Sequence, residues 1–323
     1  MRVSVIVPAY NAAATIGKCM EGLFRQTFNR DDYEVIVVDD GSEDATVKCL
    51  GGFPVKLYRQ PNRGPAAARN HGAGGASGDI LLFTDSDCVC DQSWIQEMLK
   101  PFETPNIAAV KGVYRNAQTS LTSRFAQVEF EERYELLKKS AFIDMVDTYS
   151  AAIKREVFEG IGGFDEGFPR ANNEDTELSY RLCAAGHKMV FNPNAIVYHL
   201  NHPASILKYA RQKFWRGYWR MVVYRRYPKK MFKDSYTPQS LKLQILTVFA
   251  LLFSLALVPV YGPFLYASLF LAAIYVVLTL GFVRFAFSRD RPIGLLSTFY
   301  LALRAISIGC GVLYFFKRWD NNG

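Results

Sequence analysis

The chain has 323 residues and a formal net charge of +8, a length sufficient for a full core and for two domains. The charge is unevenly divided: residues 1–200 carry 27 Asp/Glu and 21 Lys/Arg, whereas residues 201–323 carry 3 and 17. Because the positive charge collects beside apolar segments, it favours anionic lipid headgroups and excludes nucleic acid as the expected partner.

Predicted strands and helices alternate along the first hundred residues. Apolar, β-branched runs at VSVIVPAY, YEVIVVDDGS, VKLYRQ and DILLFTDSD predict strands, and helical spacing is found at 12–26, 46–50, 65–76 and 94–102. This alternation predicts an α/β fold with a mostly parallel central sheet and helices on both faces. Ligands of such sheets bind beyond the carboxyl ends of the strands. The polar residues expected there are Asn11, Asp39, Asp40, Asp85 and Asp87.

The next hundred residues continue this pattern and end in a basic segment. Helices are predicted at 123–140 and 176–185, and MVFNPNAIVYH predicts a further strand. Residues 208–233 then hold ten Lys/Arg and no acid, interleaved with Phe and Trp. This pattern is typical of an amphipathic helix at a membrane interface, although a solvated basic face would read the same way.

The C-terminal part is predicted to be membrane-embedded. Residues 243–283 contain no charge, and 41 residues are enough for two spanning helices, broken at VPVYGP. A third apolar segment, 292–316, either spans or lies at the interface. The loop before it carries Arg284, Arg289 and Arg291, which predicts a cytoplasmic position. We therefore predict a catalytic domain at 1–205 facing the cytoplasm, a basic interfacial segment at 206–240 and a transmembrane region at 241–323.

A DxD sequence, Asp85-Ser86-Asp87, follows the fourth predicted strand. Side chains at i and i+2 of an extended segment point the same way, so both carboxylates can face one site. A hard divalent ion such as Mg²⁺ or Mn²⁺ binds one or two carboxylates together with substrate phosphates. A surface turn rich in Asp and Ser is the alternative.

Six sequence blocks in order resemble glycosyltransferase family 2 of the GT-A fold. They are PAYN, DDGS, GPAAARN, DILLFTDSD, AAIKREVFEGIGGFDE and NNEDTELSYRLCAAG. The resemblance covers about residues 1–200. It implies a metal-dependent transfer of sugar from a nucleotide-diphosphate sugar, with inversion at the anomeric carbon and a UDP-sugar as the favoured donor.

The resemblance also implies which residues bind the donor. It assigns the nucleotide to Pro8, Tyr10, Asn11, Asp39, Asp40, Gly64 and Arg69, and the sugar side to Asp85 and Ser86. Asp40 is the better ligand of the pair, since Asp39 could be a structural turn residue. Carboxylates can accept from the imide N–H of uracil or from ribose hydroxyls. Asp87 would be the firmer metal ligand, with Asp85 and His199 as further ligands.

The Glu174-Asp175 pair aligns with the catalytic block of the family. By resemblance, Asp175 is the general base and Glu174 helps to place the acceptor. From spacing alone, the same residues could equally form the N-terminal cap of a helix. His199, which follows an apolar run, could likewise be an ordinary packed residue.

The acceptor side shows a departure from the family pattern. Gln212, Trp215 and Arg216 lie in QKFWRGYW, where the last two residues of the family's QxxRW motif are exchanged. This argues against a processive enzyme, but the three residues could still contact the acceptor or the membrane.

The sequence thus predicts an integral membrane glycosyltransferase whose acceptor is a lipid-linked glycan or another membrane-associated acceptor. A transferase acting on a bare polyprenyl phosphate is the alternative enzyme. An inactive GT-A membrane scaffold is the alternative that is not an enzyme. A nucleotidylyltransferase would open with a Gly-rich basic loop, which PAYNAAATI is not.

Overall fold

The computed structural model of the protein describes residues 2–168 and 172–320. The chain forms two compact units. The first comprises residues 1–117 and 137–201, and the second comprises residues 118–136 and 202–323.

The first unit is built on one eight-stranded sheet. In chain order its strands are β1 (Val3–Ala9), β2 (Tyr33–Asp39), β3 (Lys56–Arg59), β4 (Ile80–Phe83), β5 (Cys88–Cys90), β6 (Ile107–Asn116), β7 (Ala151–Lys154) and β8 (Lys188–His199). Their order across the sheet is β3-β2-β1-β4-β7-β6-β8-β5. Strands β1 to β4 pair in parallel, as do β6 and β8, whereas β7 runs antiparallel to β4 and β6, and β5 antiparallel to β8. This mixed α/β sheet confirms the predicted fold class.

The central strands explain why the polar residues gather at one edge. β1 and β2 are almost wholly buried, as expected for parallel strands covered on both faces. Their register pairs Ala9 with Asp39, and Ile6 pairs with Phe83 at the end of β4. The carboxyl ends of these strands therefore lie side by side, with Asn11 after β1 and the acidic residues at the ends of β2 and β4.

Three strands were not predicted, and β6 is the most informative of them. Lys111 and Gly112 interrupt the apolar run of its sequence, IAAVKGVYRN, so the pattern did not predict a buried strand. The charge of Lys111 is compensated by a buried ion pair with Asp147. A Cβ at Gly112 would lie 2.1 Å from Ser150 Oγ, so this position accepts no larger residue.

The predicted helices are present, with ends shifted by a few residues. In chain order the helices are α1 (Ile16–Phe24), α2 (Pro65–Gly74), α3 (Trp94–Leu99), α4 (Leu121–Leu137), α5 (Arg155–Gly160), α6 (Glu174–Ala184), α7 (Ile206–Arg226), α8 (Pro228–Phe232), α9 (Ser240–Leu257), α10 (Phe264–Arg289) and α11 (Arg291–Asp320). The predicted helix at 46–50 is reduced to a 3₁₀ turn at Lys48–Leu50. Helix α5 was not predicted.

Three helices of the second unit are long and apolar enough to cross a membrane. They comprise Ser240–Leu257, Phe264–Arg289 and Arg291–Arg318. Large apolar side chains face outward along them, including Leu246 and Phe270, each 67% exposed. Such exposure is unusual for a protein surface in water but suits lipid.

The apolar segment of the third helix contains an arginine and three glycines, and the sequence alone did not decide whether it spans the membrane or lies at the interface. Arg304, in its middle, is buried and pairs with Glu129 of α4. Its glycines lie at close helix contacts, since a Cβ at Gly311 would lie 2.0 Å from the carbonyl oxygen of Phe214 in α7. The arginine and the glycines are therefore packing features of a continuous helix.

A buried polar cluster joins four helices of the second unit. We call it the Glu129 cluster, and its members are Glu129 of α4, Tyr209 and Lys213 of α7, Gln244 of α9 and Arg304 of α11. Both oxygens of Glu129 are used, because Oε1 accepts from Arg304 at 3.0 Å and Oε2 from Lys213 and Tyr209 at 2.8 Å each.

Helix α7 is the predicted basic helix, and one of its faces is packed against protein. Aromatic rings of Phe214, Trp215 and Tyr218 meet Tyr314 of α11, with centroids 5.6, 6.3 and 5.8 Å apart. This face of α7 is therefore not a solvated surface. The contact of the helix with a lipid interface stays a prediction, as do the domain boundaries at 205 and 240.

Candidate active site

The DxD turn and His199 meet because of a strand pairing. Asp85-Ser86-Asp87 connects β4 to β5, and β5 pairs antiparallel with β8 so that Cys88 lies opposite His199. His199 Nδ1 accepts a hydrogen bond from the N–H of Asn201 at 3.2 Å. Its other nitrogen, Nε2, lies 3.7 Å from Asp87 Oδ1. The pairing thus brings together two of the three predicted metal ligands.

These residues fit a hard divalent cation. One potential ligand atom from each of Asp87, Cys88 and His199 lies within 4.8 Å of the others. The thiol of Cys88 is a soft ligand, which a hard cation such as Mn²⁺ or Mg²⁺ does not favour. A carboxylate oxygen and an imidazole nitrogen remain, a donor pair that suits Mn²⁺ or Mg²⁺ together with phosphate oxygens.

Burial also shapes the electrostatics of Asp87. Desolvation raises the pKa of this carboxyl above its usual value, and the charge of Asp85 adds to the increase, while His199 opposes it. Arg69 pairs with Asp85, but burial of the Asp87 carboxylate still disfavours its charged form. A bound cation would remove this penalty, which is a physical reason to expect one here.

Arg69 connects the DxD turn to the Glu174-Asp175 pair. It lies on α2 and is buried, with Nη2 2.8 Å from Asp85 Oδ1 and Nη1 2.9 Å from Glu174 Oε1. Its guanidinium also lies 5.6 Å from the ring centroid of Phe164. The sequence had assigned Arg69 to the nucleotide base, a contact that stays a prediction. The observed geometry gives it a second task, which is to hold Asp85 and Glu174 at one place.

Glu174 and Asp175 differ in accessibility. Glu174 is buried, and its Oε2 accepts from the backbone N–H of Asn172 at 2.7 Å and of Asn173 at 3.2 Å. Burial raises the pKa of Glu174, and the charge of Asp175 adds to this, whereas Arg69 lowers it. Asp175 is half-buried, and its Oδ1 accepts from the N–H of Thr176 at 2.7 Å. Of the two, Asp175 is the one open to a substrate.

The backbone just before α6 is strained. Asn173, at the N-cap position, has φ 141°, a value that residues other than glycine rarely adopt. Strain of this kind persists only where surrounding contacts hold the conformation in place, and it is common at functional sites. The helix-cap alternative and the catalytic assignment are therefore compatible, because the same turn orients both carboxylates.

Asp39 and Asp40 organise the loop that leads to α2. Asp39 is buried and accepts from the N–H of Ser42 at 3.2 Å and from Arg59 Nε at 3.3 Å. Asp40 accepts from Gln60 Nε2 at 2.8 Å and from the backbone N–H groups of Arg63 and Gly64 at 2.9 Å each. Gly64 has φ +90°, which favours glycine. Nucleotide contacts of these residues stay a prediction.

The turn after β1 is fixed to the turn after β2. Asn11, with φ 47°, donates its N–H to Ser42 Oγ at 2.9 Å, and its Oδ1 accepts from the N–H of Glu43 at 3.0 Å. Tyr10 is 49% exposed beside Pro8 at the end of β1. An exposed aromatic ring at this edge is suited to contact a nucleotide base.

The predicted acceptor residues lie on α7 in the second unit. Gln212 is exposed, and Trp215 belongs to the aromatic contacts with Tyr314 described above. The guanidinium of Arg216 lies 5.9 Å from the ring centroid of Phe130. Their role toward an acceptor stays a prediction.

Sequence reasoning missed Glu166 as part of this region. Its Oε2 pairs with Arg63 Nη2 at 2.7 Å, and its Oε1 accepts from Asn70 Nδ2 at 3.0 Å. These contacts tie the segment after α5 to the start and middle of α2. The available signal was the GGFDE block, whose acidic end had no assigned partner.

Replacing Arg69 with methionine is expected to lower the free energy of unfolding by about 3–5 kcal/mol, because it leaves Glu174 buried without its cation. Arg63→Met is the matched control: it breaks the more exposed pair with Glu166 and should cost at most about 1 kcal/mol. Chemical unfolding of the full chain in detergent measures both. Equal losses for the two variants would show that the Arg69 bridge is unimportant for stability.

Comparison with known proteins supports a family for this chain. The sequence model of Glycosyl transferase family 2 matches residues 4–162. The glycosyltransferase AglE of Haloferax volcanii is 28% identical over 211 residues, which are 62% of this chain and 67% of the relative. The dolichyl N-acetyl-alpha-D-glucosaminyl phosphate 3-beta-D-2,3-diacetamido-2,3-dideoxy-beta-D-glucuronosyltransferase of Methanococcus voltae is 22% identical over 227 residues, or 65% of this chain and 70% of the relative. Several other relatives are matched over about half of their length.

A solved structure has the same fold. The mannosyltransferase PcManGT from Pyrobaculum calidifontis, in complex with GDP-Man and Mn²⁺, matches over 97% of this chain and 87% of its own, with a TM-score of 0.62 at 21% identity. At this identity the likeness shows the GT-A fold alone. The family match, at residues 4–162, and the named relatives therefore support a family 2 glycosyltransferase.

Proposed function

We propose that this protein is an inverting, metal-dependent glycosyltransferase that moves a sugar from a nucleotide-diphosphate sugar to a lipid-linked glycan. The observation that carries the proposal is the Arg69 bridge. It joins the DxD turn, where Asp87 lies beside His199 as the candidate metal ligands, to the turn that presents Asp175. A metal-binding group and a candidate base thus belong to one connected arrangement within the first unit.

In this mechanism Asp175 takes the proton from the acceptor hydroxyl as its oxygen attacks the anomeric carbon. The bond from that carbon to the diphosphate oxygen breaks, and its electron pair leaves with the diphosphate. Asp87 and His199 would hold a divalent cation, which offsets the negative charge of the leaving group. Attack from the face opposite the nucleotide inverts the anomeric centre. Glu174, held by Arg69, keeps the turn that carries Asp175 in place.

The identities of the donor base and of the acceptor are more specific parts of the proposal. The sequence favours a UDP-sugar, whereas the mannosyltransferase from Pyrobaculum calidifontis was solved with GDP-Man. A lipid-linked acceptor is supported by the three apolar helices and by the name of the Methanococcus voltae relative, which specifies a dolichyl-linked substrate. We propose that the catalytic part faces the cytoplasm, because the basic segment 208–233 and the arginines at 284, 289 and 291 would then lie on that side.

Radiolabelled UDP- and GDP-sugars, offered to the full chain in vesicles, test the donor and the acceptor together. Label should move to a lipid-linked sugar and not to bare polyprenyl phosphate. Transfer to the bare phosphate would favour the polyprenyl-phosphate transferase instead. An absence of transfer with every donor and acceptor, despite donor binding, would favour an inactive scaffold.

Removing the metal is expected to abolish transfer, and Mn²⁺ or Mg²⁺ should restore it. Asp87→Asn should weaken Mn²⁺ binding on the order of 100-fold, because it removes the charged ligand of the site. Asp31→Asn changes an exposed aspartate outside the site and should leave binding unchanged. Mn²⁺ titration followed by electron paramagnetic resonance measures both variants. Full activity of the wild type in excess chelator would contradict the metal dependence.

A further inference from the structure

We propose that Tyr149 and Tyr114 are positioning residues. They hold the two halves of the metal site, the DxD turn and His199, in a fixed position relative to each other. This inference rests on the proposed function, because it concerns the same cation. Neither tyrosine is among the residues that the sequence assigned to the site. Both are buried in the first unit, beneath the edge where β4 and β8 end.

Tyr149 is anchored by a buried charged pair. Its hydroxyl donates to Asp147 Oδ2 at 3.0 Å and accepts from Lys111 Nζ at 3.1 Å, while Lys111 also pairs with Asp147. Lys111 is completely buried in β6. Charged pairs inside a protein are often replaceable by apolar residues without loss of stability. Both members of the pair bond the Tyr149 hydroxyl, so the pair fixes the position of that side chain.

One arm of this arrangement reaches the DxD turn. The backbone carbonyl of Tyr149 accepts a hydrogen bond from Thr84 Oγ1 at 3.0 Å. Thr84 is completely buried and directly precedes Asp85. The neighbouring strands reinforce this contact, since Phe83 pairs with Ala151. Tyr149 thus fixes the residue from which the DxD turn departs.

The other arm reaches His199 through Tyr114. The ring of Tyr149 meets the ring of Tyr114 edge to face, with centroids 4.5 Å apart and planes at 78°. Tyr114 in turn lies 5.4 Å from the ring of His199. The strand register pairs Asn116 with His199, so Tyr114, two residues earlier, projects on the same face of the sheet. The imidazole is therefore packed on an aromatic ring whose own position Tyr149 determines.

Both sets of contacts start from Tyr149: one ends at Thr84, three residues before Asp87, and the other ends at His199. Metal-ligating side chains depend on such supporting contacts for their orientation, and loss of a supporting contact weakens metal binding by about 10–100-fold. The pairing of β5 with β8 brings Asp87 and His199 together, and the contacts beneath them support the orientation of their side chains. Tyr149 provides this support through its carbonyl and its ring.

The test measures Mn²⁺ affinity of the full chain in detergent, without donor, by electron paramagnetic resonance. Tyr149→Phe and Tyr114→Leu should each weaken Mn²⁺ binding by about tenfold or more, whereas Tyr114→Phe, which keeps the ring, should restore it to within about threefold of the wild type. Tyr33→Phe is the matched control. It removes another buried hydroxyl, which donates to the carbonyl of Leu23 at 2.8 Å away from the site, and should leave Mn²⁺ binding unchanged.

The outcomes separate this inference from the proposed function. If Tyr149→Phe binds Mn²⁺ as tightly as the wild type does, the positioning role is overturned but the transferase proposal is left intact. Equal weakening in Tyr33→Phe would also overturn it, because the effect would then reflect general loss of stability. If the wild type binds no Mn²⁺, the metal site itself is wrong. Tyr149→Phe removes one oxygen only, so this variant still tests the inference if Tyr114→Leu does not fold.

Discussion

Asp175→Asn is expected to lower the rate of sugar transfer on the order of 10³-fold, while the affinity for the nucleotide-sugar donor changes by less than about threefold. Asparagine keeps the size of the side chain and can still accept from the N–H of Thr176, so α6 should begin as before. What is lost is the capacity to take a proton from the acceptor hydroxyl. Single-turnover rates with saturating donor and acceptor, together with donor binding by calorimetry, separate the two effects.

Two further variants show whether the effect belongs to Asp175. Glu174→Gln preserves an oxygen that can accept from Arg69 and should reduce transfer far less than Asp175→Asn. Glu177→Gln removes a carboxylate from the same first turn of α6, where it pairs with Arg181, and controls for the loss of negative charge at the helix N-terminus. If Glu174→Gln abolishes transfer and Asp175→Asn does not, the roles of the two residues are reversed.

The sequence was informative wherever a local pattern determines the geometry. Buried β-branched runs predicted β1, β2 and β4, and parallel strands necessarily bring their carboxyl ends to one edge. Asp39, Asp40 and the DxD turn were therefore predicted at the correct ends of their strands. The order of family blocks supplied the rest of that assignment, including the turn before α6.

What the sequence could not supply was the set of long-range contacts. The pairing of β5 with β8 brings His199 to Asp87, but three residues of β5 carry no usable pattern. Arg69 and Glu174 are 105 positions apart, and nothing in either segment specifies the other. The buried lysine that helps to fix Tyr149 looked like a strand breaker. In each case the determining contact is tertiary, so the local sequence pattern does not predict it.

Helix α4 illustrates the same limit for the second unit. Its sequence, LTSRFAQVEFEERYELL, was correctly predicted to be helical, and it contains several acids. One of these acids, Glu129, is almost completely buried. Burial alone would raise the pKa of Glu129, but the charges of Lys213 and Arg304 hold it well below its usual value. The acid is thus a central member of a buried cluster, whereas periodicity alone would place it on a solvated face.

Glu129→Gln is expected to destabilise the second unit by about 3–5 kcal/mol, because it leaves buried cations without their counter-charge. Burial already lowers the pKa of Lys213 well below its usual value, so this residue can become neutral. Arg304 loses its paired carboxylate in this variant, and the cost falls mainly on it. Glu131→Gln is the matched control, since Glu131 lies two residues away on α4 in a partly exposed pair with Arg289 and should cost at most about 1 kcal/mol.

A triple variant, Glu129→Leu with Lys213→Met and Arg304→Met, distinguishes charge compensation from packing. Removing all three charges eliminates the unpaired cations, so the triple variant should recover most of the stability lost in Glu129→Gln and can exceed the wild type. Unfolding of the full chain in mixed detergent micelles, followed by circular dichroism, measures every variant on one scale. A triple variant less stable than Glu129→Gln would mean that the Glu129 cluster stabilises the helices through its hydrogen bonds to Tyr209 and Gln244, and not through compensation of charge.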